Sequence, residues 1–333
     1  MENNYSIKTL FAGIELKNPI IAASCSITGT AKNNKMLSEA GVGAIVLKSL
    51  FEEDIIRESA ALGEHATHGE AADYLQAYVA SNALSGYIDL IKESKALCAE
   101  TPIIASINCA NSGEWVEYAR AIEAAGADAL ELNVMTIECG MMSEDGELER
   151  RHIAIAKAVS AAVGLPIIMK LGSHVSNCVS LVSRLQACGV SGFVLFNRAY
   201  PLDINIDTMK YTSGAILSES GDFATPLRYT AITSAAVPTA SLALSGGVQG
   251  SECVVKSILA GAAAVEVCSA LYRLGDKIGE WIAQVEEEIK AWGAKQGYDS
   301  VEQFKGIMNR KSEEHSDSVM RTQFLKHFGA YKF

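Results

Sequence analysis

Asn18-Pro19-Ile20-Ile21 recurs along the chain as Thr101-Pro102-Ile103-Ile104, Leu165-Pro166-Ile167-Ile168 and Val237-Pro238-Thr239-Ala240, and these stretches hold four of only six prolines. Each opens a short apolar run without polar alternation. A run that starts at a residue lacking an N–H suits a strand of a parallel sheet buried on both faces. Between these runs a second signal repeats: Ala40-Gly41-Val42, Ala125-Gly126-Ala127, Cys188-Gly189-Val190 and Ala260-Gly261-Ala262 each end a helical pattern and lead into another apolar run. Glycine just past a helix end permits the left-handed turn needed there. Pro19, Pro102, Pro166 and Pro238 are 83, 64 and 72 residues apart, and Gly41, Gly126, Gly189 and Gly261 are 85, 63 and 72 apart. The chain therefore repeats a strand–helix–strand–helix unit four times.

Eight strands are expected at 20–24, 44–48, 103–108, 130–133, 167–171, 193–196, 241–245 and 265–269. Trp115, Tyr118, Ala119, Ile122 and Ala125 fall on one stripe of an intervening helix. Eight alternating βα units point to a (β/α)8 TIM barrel; a doubly wound sheet also alternates but rarely keeps a fourfold unit. Residues 6–17 alternate around Ala12-Gly13 and read as a β-hairpin able to plug the barrel bottom. One barrel unit is assigned to residues 1–300, hairpin included, with a polar C-terminal extension at 301–333. Residues 49–86 read as a long polar loop on the catalytic face.

The 333 residues are 49% hydrophobic, which fills a substantial core and excludes wholesale disorder. With 28 Lys+Arg against 39 Asp+Glu the net charge is −11, so nucleic acid is not an expected partner. The start Met1-Glu2-Asn3-Asn4 lacks signal-peptide character, and the apolar stretch 258–272 is too short to span and carries Glu266. The expectation is a cytoplasmic protein with no membrane partner. Eight cysteines without a CxxC pair argue against zinc and against a protein-borne iron–sulfur cluster. His65 and His68 with Glu64, Glu70 and Asp73 read as a solvated loop face, so no metal site is assigned.

In a barrel, polar residues at strand ends project into the active-site mouth. Here they are Ser24, Lys48-Ser49, Asn108, Asn133, Lys170, Asn197, Ser245-Gly246-Gly247 and Cys268-Ser269. A lysine ending an apolar strand is costly unless paired or used; Glu131 is an available partner, and an anion or cofactor contact is the alternative. Gly246-Gly247 and Cys268-Ser269 occupy the usual phosphate location after strands seven and eight. Asn108, Asn133 and Asn197 each donate and accept, which suits the edge of a flavin or pyrimidine-like ring; capping the following helices is the alternative. Met141-Met142 is expected to pack against the barrel rim.

Seven stretches together carry a family resemblance: Asn18-Pro-Ile-Ile-Ala-Ala-Ser24, Ala44-Ile-Val-Leu-Lys-Ser49, Ala129-Leu-Glu-Leu-Asn133, Ile168-Met-Lys-Leu171, Val194-Leu-Phe-Asn197, Ser245-Gly-Gly-Val248 and Cys268-Ser-Ala-Leu271. In this order they resemble the FMN-dependent dihydroorotate dehydrogenase family, and in particular its dihydroorotate dehydrogenase-like branch. The resemblance implies FMN as cofactor, with Ala22, Ala23 and Ser24 along the flavin, and Lys48 and Ser49 near its ribityl chain and the substrate. It implies Asn133 against ring or substrate, Asn197 beside the cofactor, and Gly246, Gly247, Cys268 and Ser269 on the phosphate. Lys170 would approach the N1/O2 edge, stabilising the reduced ring, and Asn82 resembles a substrate-contacting asparagine.

After strand four the family carries Asn-Leu-Ser-Cys-Pro-Asn or a serine variant, the Cys or Ser acting as general base. This chain reads Asn133-Val134-Met135-Thr136-Ile137-Glu138. Thr136 thus stands at the base position, Glu138 replaces an amide that would contact orotate, and Cys139 lies close enough in sequence to substitute as base. Arg198 stands where the family has a small hydroxyl residue and would hold a substrate anion differently. The implied function is an FMN-dependent oxidoreductase acting on dihydroorotate or a related cyclic small molecule. A non-catalytic flavin-binding protein and a flavin-free barrel enzyme acting on a phosphorylated metabolite are the competing readings. A homodimer and an iron–sulfur/FAD partner subunit are compatible with the resemblance, and the electron acceptor stays open.

Overall fold

The computed structural model describes residues 5–51, 69–109, 114–137, 139–199 and 201–309; between 69 and 81 only the Val79 side chain is described. An antiparallel hairpin, β1 (Thr9–Phe11) and β2 (Ile14–Leu16), precedes β3 (Ile20–Ala22). The chain continues through β4 (Ala44–Val46), a two-residue β5 (Leu50–Phe51), β6 (Ile103–Asn108), β7 (Ala129–Asn133), β8 (Ile167–Gly172) and β9 (Val190–Asn197). A second hairpin, β10 (Leu202–Asn205) with β11 (Lys210–Ser213), comes before β12 (Leu242–Ser245) and β13 (Ala264–Val267). Parallel pairing runs β4-β3-β13-β12-β9-β8-β7-β6, and β6 pairs back to β4. Eight strands close into a (β/α)8 barrel with helices outside, as the repeat predicts.

The repeating glycines do what the spacing requires. Gly41, Gly126, Gly189 and Gly261 have φ of +100°, +89°, +96° and +107°, so each reverses the chain from a helix into the next strand at no Cβ cost. The predicted stripe on Glu114–Ala125 is the buried one: Trp115, Tyr118, Ala119 and Ile122 face the sheet.

Side-chain parity divides each strand. On β8, Ile167, Met169 and Leu171 join the layer between barrel and helices, whereas Ile168 points inward. The inward set near the bottom, including Ile21, Ala44, Ile104, Ile168 and Val194, packs on Phe11, Ala12 and Leu16 of the first hairpin. The hairpin is therefore the expected plug. Its Ala12 N–H donates to Ser241 Oγ at 3.0 Å, and Gly192 leaves it room, since a Cβ there would lie 2.7 Å from Ala12 Cβ. With the bottom filled, open polar surface is left at the C-terminal ends of the strands, where chemistry belongs.

The reading of 49–86 as loop is corrected in its second half, because Gly69–Leu97 is one long helix. Among its described side chains Val79, Tyr87 and Ile91 are buried apolar ones, an i, i+8, i+12 set that polar neighbours conceal in the sequence. Glu64, His65 and His68 lie outside the described residues, as do the side chains of Glu70 and Asp73. Residues 301–309 of the C-terminal extension pack on the barrel. Val301 and Phe304 are buried, Ser6 bridges Ser300, and Gly306 N–H donates to Ile258 O at 2.8 Å. Among the described residues no helix is long and apolar enough to cross a membrane.

Candidate active site

Above the apolar plug the inward positions turn polar. Lys170 on β8 is 6% exposed and its Nζ lies 2.6 Å from Glu266 Oε2 on β13 and 3.8 Å from Glu131 Oε1 on β7. Both carboxylates are buried. The Lys170–Glu131 pairing considered from sequence is present, and Glu266 is the closer partner. Two carboxylates and one ammonium leave an excess negative charge, which the interior resists. Burial, reinforced by Glu266, accordingly holds the Glu131 carboxyl well above the usual carboxylate range, favouring the protonated acid. Burial opposes the Lys170 ammonium, but Glu131 and Glu266 more than offset it and raise its pKa.

Hydroxyls extend this network to the mouth. Ser106 Oγ donates to Glu131 Oε1 at 3.2 Å, Ser49 Oγ lies 2.7 Å from Ser106 Oγ, and Ser24 Oγ lies 3.1 Å from Ser49 Oγ. Ser24 Oγ also accepts from Ser49 N at 2.9 Å, joining the ends of β3 and β4. Asn197 Nδ2 donates to Asn133 Oδ1 at 2.7 Å, orienting both amides across the end of β7 and β9. Ala22 and Ala23 are buried at the end of β3, where Ala22 joins the layer between barrel and helices and Ala23 borders the cavity described next. Asn108 is half-buried at the end of β6, and Lys48 Nζ stands 5.9 Å from the Phe51 ring centroid.

A cavity of about 170 Å³ opens beside the ion pair and is lined by Ser24, Lys170, Asn197, Gly246, Cys268 and Ser269, with Gly247 and Arg198 among its other walls. Gly246 and Gly247 have φ of +111° and +69°. A Cβ on Gly247 would lie 2.4 Å from Phe223 N and 2.9 Å from Glu219 O, so this turn admits only glycine. Ser218, not anticipated from sequence, supports the same corner: its N–H and Oγ donate to Ser269 Oγ at 2.8 and 2.9 Å. The Arg198 guanidinium donates to Ala215 O at 2.9 Å and Ile216 O at 3.0 Å and pairs with Asp222 at 3.3 Å. It thereby fixes the segment over the cavity. The Cys25 thiol is lowered to about 6, chiefly by a hydrogen bond from Cys268, whose own pKa rises. A larger cavity of about 680 Å³ lies at the plugged end, bordered by Ser241, Gly261, Glu302 and Lys305; its two charged groups pair with each other.

Among the described residues, Thr136, Cys139 and Asn82 lie outside this lining. Thr136 is half-buried and Cys139 exposed in the loop after β7. Asn82 is exposed on the helix Gly69–Leu97, and Glu138 lies outside the described residues. Met141 and Met142 are exposed at 101% and 94%, which corrects their expected packing on the rim: the loop carries them outward. The Thr136 carbonyl accepts from His174 Nε2 at 2.6 Å. Below that loop, His152 is buried, and desolvation lowers its pKa despite the bond from Nδ1 to Leu148 O at 2.7 Å. Glu149 is held below the usual range by Ser176, whose Oγ and N–H donate at 2.6 and 2.9 Å. Glu266, Ser106, Ser218 and His174 were the residues missed. Inward parity on an apolar strand was the available signal for the first two, and a histidine four residues past Lys170 for the last.

Comparison with known proteins places this geometry. A sequence model described as dihydroorotate dehydrogenase matches residues 6–292. The chain is 27% identical over 318 residues to a putative dihydroorotate dehydrogenase A (fumarate) of Aeropyrum pernix, covering 90% of this chain and 96% of that protein. It is 27% identical over 314 residues to the catalytic subunit of dihydroorotate dehydrogenase B (NAD(+)) of Methanothermobacter thermautotrophicus, covering 91% and 98%. To the corresponding subunit of Methanosarcina mazei it is 28% identical over 322 residues, covering 92% and 96%. The chain belongs to the dihydroorotate dehydrogenase family.

Proposed function

We propose that this protein is an FMN-dependent oxidoreductase that acts on CH–CH groups, converting dihydroorotate or a related cyclic substrate to its unsaturated product, a step of pyrimidine biosynthesis. The observation that carries the reading is the buried Lys170 set beside the Asn133–Asn197 amide pair, the Gly246-Gly247 turn and a shared cavity. The residues fit FMN. A turn that tolerates no Cβ brings backbone close to a phosphate, paired amides suit the edge of a flavin ring, and Lys170 supplies a fixed cation. Bound FMN supplies a two-electron hydride acceptor.

In this reading Gly246, Gly247, Cys268 and Ser269 hold the phosphate, Lys48 and Ser49 the ribityl chain, and Ala22, Ala23, Ser24 and Asn108 line the ring. Asn133 and Asn197 orient ring and substrate, while Lys170 offsets negative charge that develops at the ring edge. Arg198, Asn82 and Glu138 are the further substrate-side candidates. Thr136 and Cys139 stand at and just past the base position; a threonine hydroxyl is a poor base, which favours as second reading a flavin-binding protein without this turnover. The relatives are named for fumarate and for NAD(+), so the electron acceptor differs within the family. A cytoplasmic homodimer is the assembly proposed.

Anaerobic addition of dihydroorotate to the purified holoprotein tests the activity. The expected result is bleaching of the flavin band with formation of one orotate per flavin. Flavin that stays oxidised with dihydroorotate, yet bleaches with dithionite, would instead support the non-catalytic reading.

A further inference from the structure

Oxidation of a CH–CH bond needs a base at the mouth, and a histidine is held there. We propose that His174 is the general base of the reaction, its Nδ1 accepting the proton from substrate; the proposal rests on the flavin-dependent oxidation inferred above. On β8 the inward parity of Ile168 and Lys170 passes next to Gly172, since Leu171 between them faces the helices. A Cβ built on Gly172 would lie 2.3 Å from His174 Cε1 and 2.7 Å from its Nδ1. The imidazole therefore fills the space a Gly172 side chain would occupy, at the mouth and one inward step beyond Lys170. Gly172 pairs with Asn197 across a register shift that follows Leu171, which brings this end of β8 to the strand end that carries the Asn133–Asn197 pair.

The tautomer is set by the loop. Nε2 lies 2.6 Å from the Thr136 carbonyl, which can only accept, so Nε2 carries the hydrogen. In the neutral ring Nδ1 is then the unprotonated nitrogen. His174 is exposed and can pass a proton to solvent afterwards. Among the described residues, the electrostatic influence of His174 reaches His152 on the helix Glu147–Ser160, whose Glu149 is occupied by Ser176, while Lys170 lies four residues back along the chain on β8. Thr136 contributes its backbone carbonyl to this arrangement, whatever its hydroxyl does.

The step balances. One substrate C–H bond gives its proton to Nδ1, forming an imidazolium, and its electron pair becomes the new C=C bond. The hydrogen on the adjacent carbon leaves with its electron pair to the bound flavin, the two-electron oxidant. Solvent then takes the proton from Nδ1.

The test uses the flavin-loaded protein, with stopped-flow bleaching by dihydroorotate followed across pH. His174→Asn is expected to slow bleaching by about 100-fold or more, to abolish the ionisation through which the wild-type rate rises with pH, and to leave flavin content and orotate affinity near wild type. Added imidazole should restore part of the rate to His174→Ala. A His174→Asn protein that bleaches at the wild-type rate, or one that slows only in step with lost orotate affinity and without imidazole rescue, makes the ring a strut and overturns the assignment. A wild-type flavoprotein that dihydroorotate never bleaches overturns the functional reading instead. Nitrogen-15 NMR of the imidazole adds a readout independent of turnover: the neutral Nε2–H tautomer is expected, and an Nδ1–H tautomer contradicts the inference.

Discussion

Lys170→Met is expected to destabilise the protein by about 3–5 kcal/mol, the cost of leaving a buried charge without its partner. The ammonium lies 2.6 Å from Glu266 and also faces Glu131 at 3.8 Å. Neither carboxylate can turn to water, since both are buried. Chemical denaturation measures the loss. The double variant Lys170→Met/Glu266→Gln should recover more than half of it, because an amide in place of the carboxylate removes the unpaired charge. A single variant within about 1 kcal/mol of wild type, the range of an exposed pair, would mean that the barrel interior is far wetter than its burial implies. Activity must therefore be compared at temperatures where both proteins are folded, so that a catalytic role for Lys170 is separated from its structural one.

Glu131→Gln should change how stability depends on pH. Burial raises the native pKa of this carboxyl well above its ordinary 4.5, so between that value and the raised one the folded protein keeps a proton that the unfolded chain releases. Folding takes up a proton there, and the Glu131 contribution to stability falls as pH rises, with a limiting slope of about 1.4 kcal/mol per pH unit. The amide cannot titrate. Melting temperatures of wild type and variant should consequently diverge as pH increases above about 4.5, in favour of Gln, and stop diverging once the native carboxyl is ionised. Parallel curves would show that Glu131 is ionised throughout and that Lys170 balances both carboxylates.

The fold was legible because each repeat carries two independent marks. Proline opens a strand where no ladder donor is needed, and glycine reverses a helix where φ must be positive; Gly41, Gly126, Gly189 and Gly261 all satisfy the second requirement. The mouth followed from that frame, since Ser24, Lys170, Asn197, Gly246, Gly247, Cys268 and Ser269 end strands and line one cavity. What escaped reading depends on contacts between distant strands. Glu266 interrupts an apolar run and looks like a blemish until Lys170 is found 96 residues away in sequence and 2.6 Å away in space. Ser218 comes from a connecting segment with no periodicity to place it. The first part of the helix Gly69–Leu97 reads as loop within 49–86 because polar residues interrupt its apolar pattern, and the outward course of Met141 and Met142 is a property of the loop path that no spacing rule encodes.

The central claim is that this barrel mouth holds FMN, and release of the chromophore from purified protein by denaturation, followed by chromatography and mass measurement, tests it most directly. The account predicts FMN at one molecule per chain, or stoichiometric uptake of added FMN by protein purified without it, with uptake abolished by Gly247→Ala, whose Cβ cannot be placed beside Phe223 N. A colourless protein that takes up no FMN, or one that releases a different chromophore, would contradict it.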